Sequence, residues 1–154
     1  MVHRYIALII AFSITVGTVG CVTSNPGRGM QYLEQKNYTA AITRFDSAAA
    51  IKPNPQIYFG YFQAYMGLND FKNAIKFLTI GLSKYPDDAW LNLCAGHWYM
   101  QKGNDPRKAL YYYEKASKLR FGKSKNIMNK KINEYIGIAR DQIAIDSLEN
   151  TLKE

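Results

Sequence analysis

One pattern recurs three times along the chain. The stretches from Gln35 to Ala48, from Leu68 to Gly81 and from Gly103 to Ala116 superimpose on their alanines, Ala41, Ala74 and Ala109, spaced 33 and then 35 residues apart. Self-similarity at such a period marks a stack of like supersecondary units, none of which buries its apolar face alone. Within each copy the apolar residues follow helical spacing, as in Ala41, Ile42, Phe45, Ala48 and in Ala74, Ile75, Leu78, Gly81. No run alternates over the length of a strand. The chain is expected to be all-α.

A second apolar stretch precedes each copy: Gly29, Tyr32 and Leu33, then Tyr58, Tyr61, Phe62 and Tyr65, then Leu91, Ala95, Gly96, Trp98 and Tyr99. Short polar joints, Lys36-Asn37, Asn69-Asp70 and Gly103-Asn104-Asp105, divide the two stretches of each unit, while Pro53 and Pro86 divide the units. Proline fixes φ and lacks a donor, so it belongs at helix edges. Each unit is read as an antiparallel helical hairpin.

These residues resemble the tetratricopeptide repeat, whose spaced pattern of small, aromatic, Ala, aromatic, Ala and Pro stands here as Gly29, Tyr32, Ala41, Phe45, Ala48 and Pro53. The second copy reads Phe62, Tyr65, Ala74, Leu78, Gly81 and Pro86, with a bulky residue at the first small position. The third reads Gly96, Tyr99, Ala109, Tyr113 and Ala116, with Phe121 near the place of the proline and an extra residue around Asp105. The resemblance implies an α-solenoid of three hairpins over residues 28–121. The alanines mark close helix contacts, where a larger side chain overpacks by roughly 1–3 kcal/mol.

Terminal repeats need a cap. Residues 122–154 are assigned that role: Ile132, Ile136, Ala139 and Ile143 form one stripe, Leu148 and Leu152 continue it less regularly, and Ser124 is placed as the N-cap. The stripe is expected over Tyr113, with projection of the helix's distal half to pair with a second copy or a partner as the alternative.

The resemblance also implies an inner surface lined by the first helix of each hairpin. Its groove positions fall on Met30 and Glu34, on Phe59, Gln63 and Met66, and on Trp90, Leu93, His97 and Gln101. The family's basic and Asn carboxylate clamp is absent from the matched positions, so an apolar or amphipathic protein segment is the implied occupant, with Phe59 and Trp90 as anchors. The competing reading is that Trp90 and Leu93 only pack between neighbouring hairpins.

Catalysis has little to rest on. Two His and two Cys cannot complete a four-ligand zinc site without carboxylates. Cys94 and His97 stand three apart on one helix, yet no oxyanion-hole motif surrounds them, and no Gly-rich phosphate loop, HExxH or GxSxG occurs. Cys94 reads as a small buried hydrophobe. No cofactor or metal is implied, and the chain is read as a non-enzyme.

Charge is uneven within a net +8. Lys115, Lys118, Arg120, Lys123, Lys125, Lys130 and Lys131 follow one another without an intervening Asp or Glu. They are either a solvated surface or a patch that attracts anionic partners or lipid headgroups.

The first 20 residues read as an address. Arg4 precedes an uncharged stretch from Tyr5 to Gly20, shorter and more polar than a spanning helix and followed by Thr23-Ser24-Asn25-Pro26-Gly27. Thr18-Val19-Gly20-Cys21 resembles the lipobox of bacterial lipoproteins, with Thr18 where leucine is usual. The resemblance implies a leader over 1–20, lipidation of Cys21, a linker over 21–27, and attachment to the outer membrane facing the periplasm, with the inner membrane or secretion as the alternatives. Nucleic acid is discounted, because the leader directs the chain out of the cytoplasm. The expected role is a non-catalytic protein-interaction scaffold assisting an envelope assembly such as a pilus, secretion or outer-membrane machine. The alternatives are a regulatory cofactor of a peptidoglycan enzyme and a self-associating structural lipoprotein.

Overall fold

The computed structural model describes residues 26–122 and 125–152. The leader, Cys21, Lys123 and Ser124 lie outside the described residues, as does the side chain of Lys125. Helices run in the order α1 Gly27–Glu34, α2 Tyr38–Ile51, α3 Pro55–Gly67, α4 Phe71–Lys84, α5 Ala89–Gln101, α6 Pro106–Lys118 and α7 Lys125–Thr151, with no strand among the described residues. The expected all-α solenoid of three hairpins and a long capping helix is the architecture found.

The polar joints act through one recurring device. Lys36, Asn69 and Asn104 occupy the left-handed region, at φ 57°, 57° and 46°. The residue after each caps the next helix: Asn37 accepts from Ala40 N at 3.3 Å, Asp70 from Asn73 N at 3.1 Å and Asp105 from Lys108 N at 3.0 Å. The same capping residues close the preceding helix, donating from Asn37 N to Tyr32 O, Asp70 N to Tyr65 O and Asp105 N to Tyr99 O. The last bond spans one residue more than the other two, which is the extra residue of the third copy.

The proline joints use another solution. Asn54 and Asp88 cap α3 and α5 through Ile57 N and Leu91 N, and Pro55 occupies the first turn of α3, where its missing donor costs nothing. Asn92, fully buried, donates its amide to the carbonyls of Pro86 at 2.8 Å and Asp88 at 2.7 Å, holding the second joint against α5.

Small residues set the packing distances. Ala41, Ala74 and Ala109 are fully buried. The ring of Phe45 lies in a slot between Gly29 of α1 and Gly60 of α3, where an added Cβ would come within 2.8 Å of Cδ1 from one side and 2.5 Å of Cε2 from the other. Gly96 and Tyr113 repeat half of that arrangement in the third hairpin. In the second hairpin the bulk changes places: Phe62 stands at the glycine position and the smaller Leu78 at the aromatic one, both buried. The helix α5 is buried from Leu91 to Gly96 because it serves two cores. Leu91, Cys94 and Ala95 join the core of the first two hairpins, while Ala89 and Leu93 join that of α6 and α7.

The cap lies on α6. Ile132, Ile136 and Ala139 are buried, Tyr135 stacks on Tyr113 with centroids 5.5 Å apart, and Arg140 pairs with Glu114 at 2.8 Å. Leu148 and Leu152 do not continue this stripe. Both are exposed, because at 3.6 residues per turn their positions fall on the opposite side of α7.

Candidate functional site

Because α1 packs on α3 and α3 on α5, the first helices of the three hairpins share a face. Two clefts open there. The first, of about 470 Å³, is lined from α1 by Leu33 and Glu34, from α3 by Phe62, Gln63 and Met66, and from α5 by His97, Trp98 and Gln101, with Lys36 and Tyr38 at the hairpin turn. The second, of about 610 Å³, is bounded by Met30, Asn54, Pro55, Gln56, Phe59, Asp88 and Trp90.

Eight of the groove residues read from the repeat pattern border these clefts: Glu34, Gln63, Met66, His97 and Gln101 the first, and Met30, Phe59 and Trp90 the second. Leu93 does not. It is 5% exposed and belongs to the core shared with α6 and α7, so it supports the face from behind and offers no side chain to a partner.

Trp90 does two things at once. Its ring lies 5.6 Å from that of Phe59 and meets Phe121 edge-on at 5.1 Å, so it joins neighbouring hairpins. It nevertheless remains 37% exposed on the second cleft. Phe121, at the place of the repeat's proline, closes the far side of that ring and is buried. An aromatic held between two others is rigid before a partner arrives, which lowers the ordering cost of contact.

His97 stands where α5, α6 and α7 meet. Its Nδ1 is 3.0 Å from the Tyr113 hydroxyl and its ring meets Tyr135 edge-on at 4.6 Å. A smaller recess of about 220 Å³ adjoins it, bounded also by Met100, Gln101 and Ile138. Burial lowers the imidazole pKa below its ordinary value, and burial also raises that of the Tyr113 phenol. Cys94 belongs to the other core, where burial, with a smaller contribution from Asp88, pushes its thiol strongly upward. A thiolate nucleophile is disfavoured there, and His97 is engaged with Tyr113 instead.

The basic segment is dispersed over the fold. Lys115 lies 3.3 Å from Asp87 across the α4–α5 joint. Lys118, the last residue of α6, and Arg120 beyond it are exposed, and Lys130 and Lys131 are exposed on α7.

Lys36, Tyr38 and Trp98 at the first cleft, and Asn54 and Gln56 at the second, were missed by the repeat pattern. Lys36 and Asn54 lie in joints and Tyr38 opens α2, which positions on first helices cannot name, while Gln56 and Trp98 stand on first helices at positions the pattern does not assign to the groove. The signal available was the joint itself, since Lys36 takes the left-handed position that asparagine fills in the other two copies.

Stacked helical hairpins with their first helices on one face define a tetratricopeptide-type α-solenoid. The family model of the Tetratricopeptide repeat matches residues 32–96, from Tyr32 in α1 to Gly96 in α5. No curated protein matches the chain. Such repeats commonly serve as protein–protein interaction modules.

Proposed function

We propose that the chain is a non-catalytic adaptor, tethered by lipid at Cys21 to the outer membrane on its periplasmic side, which holds a protein segment during assembly of an envelope machine such as a pilus, secretion or outer-membrane complex. The observation that carries the adaptor reading is the pair of clefts along α1, α3 and α5, with Trp90 fixed between Phe59 and Phe121 and still open to a ligand. Met30, Phe59 and Met66 give this face an apolar character, suited to an amphipathic helix or apolar strand of a partner.

The tether rests on the leader and on Cys21. Among the described residues no helix is long and apolar enough to cross a membrane. In this reading attachment comes from acyl chains, each buried CH₂ adding about 0.8 kcal/mol, with two or more chains needed for stable anchoring. Lys118 at the end of α6 and Arg120 just beyond it would then favour an anionic surface or partner.

Acyl labelling and membrane fractionation of wild type and Cys21→Ser test the tether. Labelled, membrane-bound wild type and an unlabelled, unprocessed variant are expected; a variant trimmed and released like wild type would contradict it. Crosslinking in intact cells followed by identification of the adducts tests the role. Pilus, secretin or outer-membrane components support it, and cell-wall hydrolases or synthases replace it with regulation of a wall enzyme.

A further inference from the structure

In a stack of antiparallel hairpins the first helices begin, and the second helices finish, at one end. Contacts tie that end together here. The Tyr85 hydroxyl donates to Pro53 O at 3.0 Å across the two proline joints. Lys84 Nζ donates to the Tyr58 hydroxyl at 3.0 Å, joining the end of α4 to the first turn of α3. Lys115 in the last turn of α6 reaches Asp87 at 3.3 Å, and Met30 of α1 borders one cleft with Asn54 and Asp88. The chain running back from Gly27 toward Cys21 leaves α1 near this same end.

The proline-joint end is basic. Arg28, Lys52, Lys84, Lys118 and Arg120, contributed by all three hairpins, are exposed there. Among the described residues none of them has an ion-pair partner. Of the carboxylates beside them, Asp87 is paired with Lys115 and Asp88 caps α5. Ile51, next to Lys52 at the end of α2, is 54% exposed. Only Lys118 and Arg120 of this set belong to the basic segment along the chain; stacking of the hairpins adds the others.

The opposite end also carries cations, Lys72, Lys102 and Arg107, among Glu34, Asp70 and Asp105. The tether decides between the two. From Cys21 to Pro26 the chain reaches about 18 Å at most. To set the opposite end on a membrane it would have to fold back along α1, itself about 12 Å long, and spend most of that reach. Attraction to a charged surface fades within a Debye length of about 8 Å, so the end nearest the tether is the one that feels the headgroups.

We infer that the proline-joint end of the solenoid rests on an anionic phospholipid leaflet, its five exposed cations meeting the headgroups and Ile51 entering between them. The second cleft, bordered by Asn54 and Asp88, then opens beside the leaflet, and the first, bordered by Lys36 and Gln101, stands farther out. The inference rests on the lipid tether proposed above and adds the orientation in which the groove is presented.

The acylated full-length chain, reconstituted into vesicles of phosphatidylcholine alone or mixed with phosphatidylglycerol and carrying a headgroup-borne quencher, tests this. A fluorophore is placed at Ser83→Cys near the proline joints or at Thr39→Cys near the turns, both exposed. Quenching at Ser83→Cys is expected to rise with phosphatidylglycerol and to fall again with salt, while quenching at Thr39→Cys stays low. Lys52→Glu combined with Arg120→Glu should abolish the rise. Lys72→Glu combined with Arg107→Glu, the same change of net charge at the other end, should preserve it. All four positions are exposed, so unchanged melting checks the fold. No rise, an equal rise at both labels, or a rise indifferent to Lys52 and Arg120 would overturn the inference and leave the tether standing. So would binding of polyglutamate in preference to the vesicles, which assigns this end to an acidic protein. A chain that fails to co-sediment even with phosphatidylcholine vesicles would remove the tether and the inference with it.

Discussion

The phenol oxygen of Tyr113 lies 3.0 Å from Nδ1 of His97, joining α5 to α6 at the point where Tyr135 of α7 covers both rings. The pair shares one hydrogen bond, and burial disfavours the imidazolium. The cap is therefore fastened through a histidine that stays neutral in the folded chain. An unfolded histidine titrates near about 6.5, and the folded value is lower. The unfolded chain therefore takes up the proton first as pH falls.

This gives a pH dependence with a definite sign. The contribution of neutral His97 is fully present above about pH 6.5, declines as pH falls from there through its lowered folded value, and then levels off. Chemical denaturation at a series of pH values should show wild type losing stability relative to His97→Gln over that window. Parallel curves would remove His97 as the cause. Asp70 and Asp105, held below the usual carboxylate value first by hydrogen bonds from Asn73 and Lys108, lose their contributions only at more acidic pH.

Packing around Phe45 gives a second prediction. Gly29→Ala places a methyl against a ring that is itself fully buried, and should cost roughly 1–3 kcal/mol. The second hairpin, with Phe62 and Leu78 at the corresponding positions, shows that a smaller partner accommodates a larger one. Phe45→Leu should therefore cost less in the Gly29→Ala background than in wild type, a positive coupling readable in a double-mutant cycle. Simple additivity would contradict this account of the slot. Ala74→Leu, at a fully buried contact with no such compensation, should lower the melting temperature sharply.

The three turns were legible in the sequence because their chemistry is local. An asparagine or aspartate after a left-handed residue both closes one helix and opens the next, and Asn37, Asp70 and Asp105 state this without reference to the rest of the fold. The cleft positions on α3 followed from the repeat register for the same reason. Leu93 was left between groove and packing because α5 is apolar all round, so periodicity could not say which side faces which core. Leu148 and Leu152 were misread because α7 carries two apolar faces, and counting intervals of three and four without tracking the angle merges them. The roles of Trp90 and Phe121 depend on contacts across hairpins, which spacing within one repeat does not contain.

A third prediction uses the turn that departs from its siblings. Lys36 holds φ 57° with a lysine side chain where the others have asparagine. The left-handed conformation costs an L-residue roughly 1–2 kcal/mol, and glycine removes most of that strain at some loss of unfolded-state order. Lys36→Gly should raise stability by about 0.5–1 kcal/mol, measured as a shift in denaturation midpoint at constant slope. A destabilised variant would mean that the lysine side chain, at the edge of the first cleft, contributes more than its backbone costs.

Trp90 carries the fourth. Trp90→Ala should leave the helical spectrum intact and lower the melting temperature modestly, since it uncovers Phe121 and Phe59. Partner affinity should fall tenfold or more, as truncation of a central aromatic anchor costs about 2 kcal/mol or above. Retention of wild-type affinity, measured by titration with the partner recovered from intact cells, would take Trp90 out of the binding face.

Site-specific photocrosslinking in intact cells tests the central claim most directly. A photoreactive residue at Gln63, exposed on the first cleft, is compared with one at Tyr111, which is 59% exposed on α6 and borders neither cleft. The account predicts a discrete adduct with one envelope component from Gln63, weakened by Trp90→Ala, and none from Tyr111. The same adduct from both positions, or from Tyr111 alone, would contradict a scaffold that holds its partner along α1, α3 and α5.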